Sequence, residues 1–147
     1  MEKEMLNGML SAQIHCADNG IQREFNRKLG KESLTVQQAM VLAFLSTAEK
    51  EGEKVNQRKI QEFLQISNPS VVSLAKSLEK KGFATKGSDD CDGRNCLLLL
   101  TDAGREKAEI IMPMLEETDR SIAKLLTVKE VSTVRKVMHK LIAAFYE

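Results

Sequence analysis

At 147 residues, with 42% hydrophobic and 29% charged positions, the chain has the size and composition of one globular domain. Its longest apolar run, Ala39 to Leu45, falls far short of a membrane span, and the N-terminal MEKEMLNGML lacks a secretory leader's apolar stretch and small-residue cleavage site. A net charge of +1 removes any argument from bulk charge, and three scattered cysteines are too few for a disulfide framework, so a reducing cytoplasm is the expected compartment.

Five Phe, one Tyr and no Trp leave the core to Leu, Ile, Val, Met and Ala, a set that favours helices over a β-sandwich. The first helix follows from Leu6, Leu10, Ile14, Ala17, Ile21, Phe25 and Leu29, which recur in steps of three and four. Gly30 is placed to close it as a left-handed cap. So long a stripe with so little chain before it calls for a partner surface. A second helix begins at Thr35, where Thr-x-x-Gln with Gln38 reads as a capping box, and ends near Gly52. Asn56 caps a short third helix, with Val55 and Ile60 spaced as a hydrophobic staple.

The polar connection QISNPS leads into a fourth helix, VVSLAKSLEKK, capped by Ser67 or Asn68 and ended by Gly82. Two helices of about ten residues joined by a tight turn make a helix-turn-helix. The fourth helix turns Asn68, Ser70, Ser73, Lys76, Ser77 and Lys80 outward. Small, hydrogen-bonding or cationic side chains let a helix enter a major groove about 12 Å wide, where a protein-facing helix would show apolar ones. Phe83 to Lys86 and Cys96 to Leu100 read as a hairpin, a wing whose tip carries Asp92-Gly93-Arg94. Lys86 joins the cationic face. Arg94 is suited to a narrow minor groove, with Asp92 as its support, although Asp89, Asp90 and Asp92 equally suit a solubilising loop. Thr101 caps a fifth helix in which Pro113 should introduce a kink. Thr127 and Glu130 box the start of the last, whose seam is Val131, Val134, Met138, Leu141 and Phe145.

Between Lys54 and Lys86 seven Lys or Arg face two acids, a local basic region in a neutral chain. Cys16 lies on the apolar stripe of the first helix and reads as a buried structural thiol, with an oxidant sensor as the alternative. Cys91 and Cys96 flank the wing turn and read as two ordinary surface thiols, with a redox clip or half a soft metal site as the alternatives. No metal or cofactor is expected. There is no nucleophile–base set at a recognisable spacing, no phosphate loop, HExxH or CxxC, so no enzyme is expected either.

The order of these elements resembles the MarR family of regulators. SNPSVVSLAKSLEKKGFATKG is similar to the family's recognition helix and first wing strand, Asp92-Gly93-Arg94 to its wing Asp-x-Arg, and Leu100 to Gly104 to its Leu-Thr-x-x-Gly. Where the family commonly reads Thr-Val-Ser-Arg-Leu, this chain has Ser70-Val71-Val72-Ser73-Leu74, and Gln61 stands where an Ala is common. The resemblance implies a single mainly α domain: a winged helix-turn-helix over residues 34–100, with residues 1–30 and 102–147 as dimerisation helices. It further implies a homodimer on a palindromic double-stranded operator, usually a repressor, released by a small aromatic ligand, an oxidant or a metal. The competing reading is a winged-helix protein-interaction module that has lost DNA binding, favoured by Ser73 in the place of an Arg.

Overall fold

The computed structural model describes residues 2–87 and 96–146. Among them are seven α-helices and one two-stranded antiparallel sheet: α1 (Glu2–Gly8), α2 (Leu10–Leu29), α3 (Val36–Lys50), α4 (Gln57–Leu64), α5 (Asn68–Lys80), β1 (Ala84–Lys86), β2 (Leu98–Leu100), α6 (Asp102–Ala123) and α7 (Val128–Tyr146). No described helix is long and apolar enough to cross a membrane.

The expected first helix is two. Its stripe runs on unbroken in sequence, but Met9 is extended, with ψ 127°, and its carbonyl starts a new ladder by accepting Gln13 N–H at 3.0 Å. Gly8, a poor helix former, immediately precedes the break. Gly30 is likewise not left-handed (φ −58°): the chain passes into a 3₁₀ turn, Gly30–Glu32, and the left-handed residue is Ser33, with φ 54°.

Elsewhere the capping chemistry acts as the residue types demand. In the α3 box, Gln38 N–H donates to Thr35 Oγ1 at 3.2 Å and Thr35 N–H to Gln38 Oε1 at 3.1 Å. Asn56 Oδ1 accepts Lys59 N–H at 2.9 Å, and the staple residues Val55 and Ile60 are buried. Thr127 and Glu130 form the reciprocal pair at the head of α7. Gly52 and Gly82 take positive φ, 73° and 79°, where the chain leaves α3 and α5. Helix α6 is continuous across the exposed Pro113.

The core lies between α3, α5 and α6, with Leu29, Leu42, Ile60, Val71, Leu78 and Ile111 fully buried. The hairpin pairs Ala84 with Leu100, Thr85 with Leu99 and Lys86 with Leu98. Leu98 N–H also donates to Val55 O at 2.9 Å, so the segment before α4 acts as a short third strand and ties the wing to the helix-turn-helix. Arg105 reaches from α6 to both carboxylate oxygens of Glu49, at 2.5 and 3.2 Å, and to Asp102 at 2.7 Å. Hydrogen bonding to Glu49 holds its guanidinium above the ordinary arginine range. Exposed as it is, that cluster contributes little.

The terminal elements behave differently. Helix α7 buries no residue, and Val134, Val137, Ile142, Phe145 and Tyr146 are exposed on it. Met5, Leu6, Met9 and Leu10 are exposed at the other end of the chain.

Candidate nucleic-acid interface

Helices α4 and α5 are joined by Gln65, Ile66 and Ser67, and the geometry of that corner comes from two residues. Gln65 is left-handed (φ 55°) and ends α4, while Ser67 Oγ accepts Ser70 N–H at 3.4 Å and begins α5. Pro69 sits in the first turn, where a missing N–H costs nothing. Val71, Ala75 and Leu78 form the buried edge of α5. Ser70, Ser73, Lys76 and Lys80 are exposed, and Ser70 Oγ lies 2.9 Å from Ser67 Oγ.

Two sequence expectations change here. Ser77 does not face outward: its hydroxyl donates to Leu74 O at 2.7 Å and accepts Gln38 Nε2 at 3.0 Å. Asn68 is half-buried, with its Oδ1 shielded and unpartnered, because the first helical position turns toward the corner rather than along the exposed face.

The basic region also resolves into two kinds of cation. Arg58 pairs with Glu62 at 3.2 Å, Lys59 with Glu53 at 3.4 Å, and Lys81 donates to Gln38 Oε1 at 3.0 Å and to Ser33 O. Lys76, Lys80 and the exposed Lys86 on β1 make no hydrogen bond or ion pair with the described residues. Uncommitted ammonium groups are the ones that can neutralise phosphates without first breaking a pair. Arg94, Asp92 and Cys91 lie outside the described residues.

Cys16 is exposed on α2 rather than buried, because α2 buries only Leu29 against its own chain. Cys96 departs from the expected surface thiol: it is buried and disulfide-bonded, at the foot of the hairpin where Gly87 N–H donates to Leu97 O at 2.8 Å. No group of three or more metal-ligating side chains occurs among the described residues.

Two of the concavities bordering this unit differ sharply in chemistry. One, of about 770 Å³, is polar and opens between α2 (Asp18, Gln22, Asn26), the head of α3 and the serine stripe of α5. The other, of about 310 Å³, is apolar and lined by Met40, Phe44, Phe63 and Leu115, with the Phe44 and Phe63 rings stacked 4.4 Å apart. Its aromatic wall is shared by Phe44 of α3 and Phe63 of α4, with Met40 of α3 and Leu115 of α6 beside them.

The family model described as MarR family matches residues 32–95. The HTH-type transcriptional regulator YdcH of Bacillus subtilis (strain 168) is 33% identical over 100 residues, 68% of either chain. The chain belongs to the MarR family. It is a MarR-family transcriptional regulator with a winged-helix fold, and solved structures agree in fold. The MepR–DNA complex of S. aureus superposes with a TM-score of 0.82 at 21% identity, covering 93% of this chain and 98% of that one. A MarR mutant of E. coli complexed with operator DNA gives 0.76 at 21% identity, over 90% and 93%. Within the family the Thr101-to-Gly104 motif has a physical reason. Thr101 Oγ1 caps α6 through Gly104 N–H at 3.0 Å and donates to Gly82 O at 2.6 Å, while Gly104 lies against the carbonyl of Phe83.

Proposed function

We propose that this MarR-family chain is a homodimeric, sequence-specific double-stranded DNA-binding protein that represses transcription and is released by a small aromatic ligand. The observation that carries the reading is the outer face of α5. Ser70, Ser73, Lys76 and Lys80 are exposed together on a helix anchored by its opposite edge, with no bulky apolar side chain among them to keep it out of a groove. MepR and MarR, which share the fold, are described as bound to DNA. Residues 34–100 would form the DNA-binding unit, and the exposed apolar stripes of residues 1–30 and 102–147 would pair across a two-fold axis. The ligand would enter the apolar concavity, whose aromatic walls suit a flat ring.

The deciding experiment is a fluorescence-anisotropy titration against the gene's own upstream duplex and a scrambled duplex at two salt concentrations. Tighter binding to the native duplex, weakening with salt by about 0.9 log unit per log unit for each neutralised phosphate, is expected. Equal binding to both duplexes at each salt would sink the claim of specificity.

Lys76→Ala should weaken binding to both duplexes alike and flatten the salt slope by about one unit, the signature of a lost phosphate contact. An unchanged slope would remove Lys76 from the interface. Arg94→Ala is expected to lower affinity for the native duplex with no change in melting temperature; equal affinity would take the wing out of the proposal.

A further inference from the structure

Helix α5 is held on its buried side by Val71, Ala75 and Leu78, apolar contacts that resist separation but only weakly oppose rotation about the helix axis. Among the described residues, the directional contacts to Ser77 and Lys81 centre on one residue, joined by the Ser33 carbonyl. Gln38, only 7% exposed, lies at the third position of α3 and is 39 residues distant in sequence from Ser77 and 43 from Lys81. Its Oε1 accepts Thr35 N–H at 3.1 Å and Lys81 Nζ at 3.0 Å, while its Nε2 donates to Ser77 Oγ at 3.0 Å. Lys81 is fixed in turn on the carbonyl of the left-handed Ser33, and Ser77 on Leu74 O.

The geometry matters because Ser70, Ser73 and Ser77 are spaced i, i+3, i+7, so they form one stripe of α5. The last of the three is pinned inward by Gln38, and Lys81 is pinned one turn beyond it. Two directional anchors a turn apart fix both the roll of the helix and its position along its axis. The roll of α5 decides whether Ser70 and Ser73 point at base edges or away from them. We infer that Gln38 is a positioning residue for DNA reading, setting the orientation in which α5 presents Ser70 and Ser73 by gripping Ser77 and Lys81. The inference rests on the DNA-binding reading above, and its structural half can be tested without DNA.

Three variants separate this role from simple stabilisation. Gln38→Met keeps the side chain's length and removes every side-chain hydrogen bond, leaving the backbone N–H on Thr35 Oγ1. Ser77→Ala leaves the α3 capping box intact and removes one grip. Gln38→Glu keeps both acceptor contacts and lets the Ser77 hydroxyl donate instead, so it should rescue. In the DNA-free protein, Gln38→Met and Ser77→Ala are expected to speed hydrogen exchange over residues 74–81 while exchange in the core of α6 is unchanged. With DNA, both should reduce affinity for the native duplex, Gln38→Met by about tenfold, and narrow the native-to-scrambled ratio. Affinity for the scrambled duplex and the salt slope should stay within twofold, since no phosphate contact is lost. Gln38→Glu should retain most of the wild-type ratio.

Unchanged exchange over residues 74–81 in both loss variants would overturn the positioning role. So would a parallel loss on both duplexes that tracks melting temperature. A wild-type protein that fails to distinguish the duplexes would refute the DNA-reading proposal instead, and the exchange measurement would still decide whether Gln38 holds α5.

Discussion

Gly104→Ala is expected to destabilise the protein by about 3 kcal/mol, even though Ala is the better helix former by about 1 kcal/mol. A Cβ at Gly104 would stand 1.9 Å from Phe83 O, 2.9 Å from Phe83 C and 3.2 Å from Leu100 Cδ2. The first two are backbone atoms that cannot swing aside as a side-chain tip does. Phe83 O is also committed, accepting Thr101 N–H at 3.1 Å where the hairpin hands over to α6. Making room would therefore separate α6 from the strand and disturb the Thr101 cap as well. For a chain of this length the melting temperature should fall by roughly 6–12 °C. Gly20 supplies the internal control. It lies within α2 with nothing within 4 Å of a built Cβ, so Gly20→Ala should leave stability unchanged or raise it by up to about 1 kcal/mol. Thermal melts of the two variants should move in opposite directions. A Gly104→Ala protein melting with the wild type would mean that the junction relaxes freely and that close approach is not why glycine stands there.

The contrast between these glycines marks where sequence reasoning reaches and where it stops. Caps, staples and turn residues act over three or four positions. Thr35 with Gln38, Asn56 with Val55 and Ile60, Ser67, Thr101 and Thr127 with Glu130 could all be placed from the chain alone. The helix-turn-helix and the hairpin followed from them, because each local preference agreed with the next. Gln38 shows the limit. Its capping role was legible, whereas its bonds to Ser77 and Lys81 depend on how α3 and α5 cross, which no local pattern encodes. For the same reason Ser77, outward by helical spacing, turns inward, and Lys81 leaves the pool of uncommitted cations. The break at Met9 was hidden by a periodicity that carries on through it. Cys16 lies on an apolar stripe and is exposed all the same, because a stripe does not say which chain covers it and α2 buries little of its own.

That unsatisfied stripe leads to the largest expected effect on DNA binding. Phe145 is 78% exposed and Ile142 45% exposed on α7, a helix that buries no residue in its own chain. A 19-residue helix with one apolar face seldom persists in water unless that face is covered, since tertiary packing supplies most helical stability. The double substitution Ile142→Glu with Phe145→Glu places two carboxylates, one helical turn apart, on the surface proposed to meet its counterpart across the two-fold axis. Neither residue contributes to the buried core, so the winged-helix unit should keep its fold and its far-ultraviolet circular dichroism. Sedimentation should show the wild type as a dimer and the variant as a monomer at micromolar concentration. Losing the second recognition helix removes the effective-concentration advantage of binding two half-sites, so affinity for the native duplex should drop by roughly a hundredfold or more. The salt slope should fall to about half, because half the phosphate contacts are gone. A variant that remains dimeric and binds with wild-type affinity would move the interface off α7, leaving the exposed Met5, Leu6, Met9 and Leu10 at the head of the chain as the surface to test next.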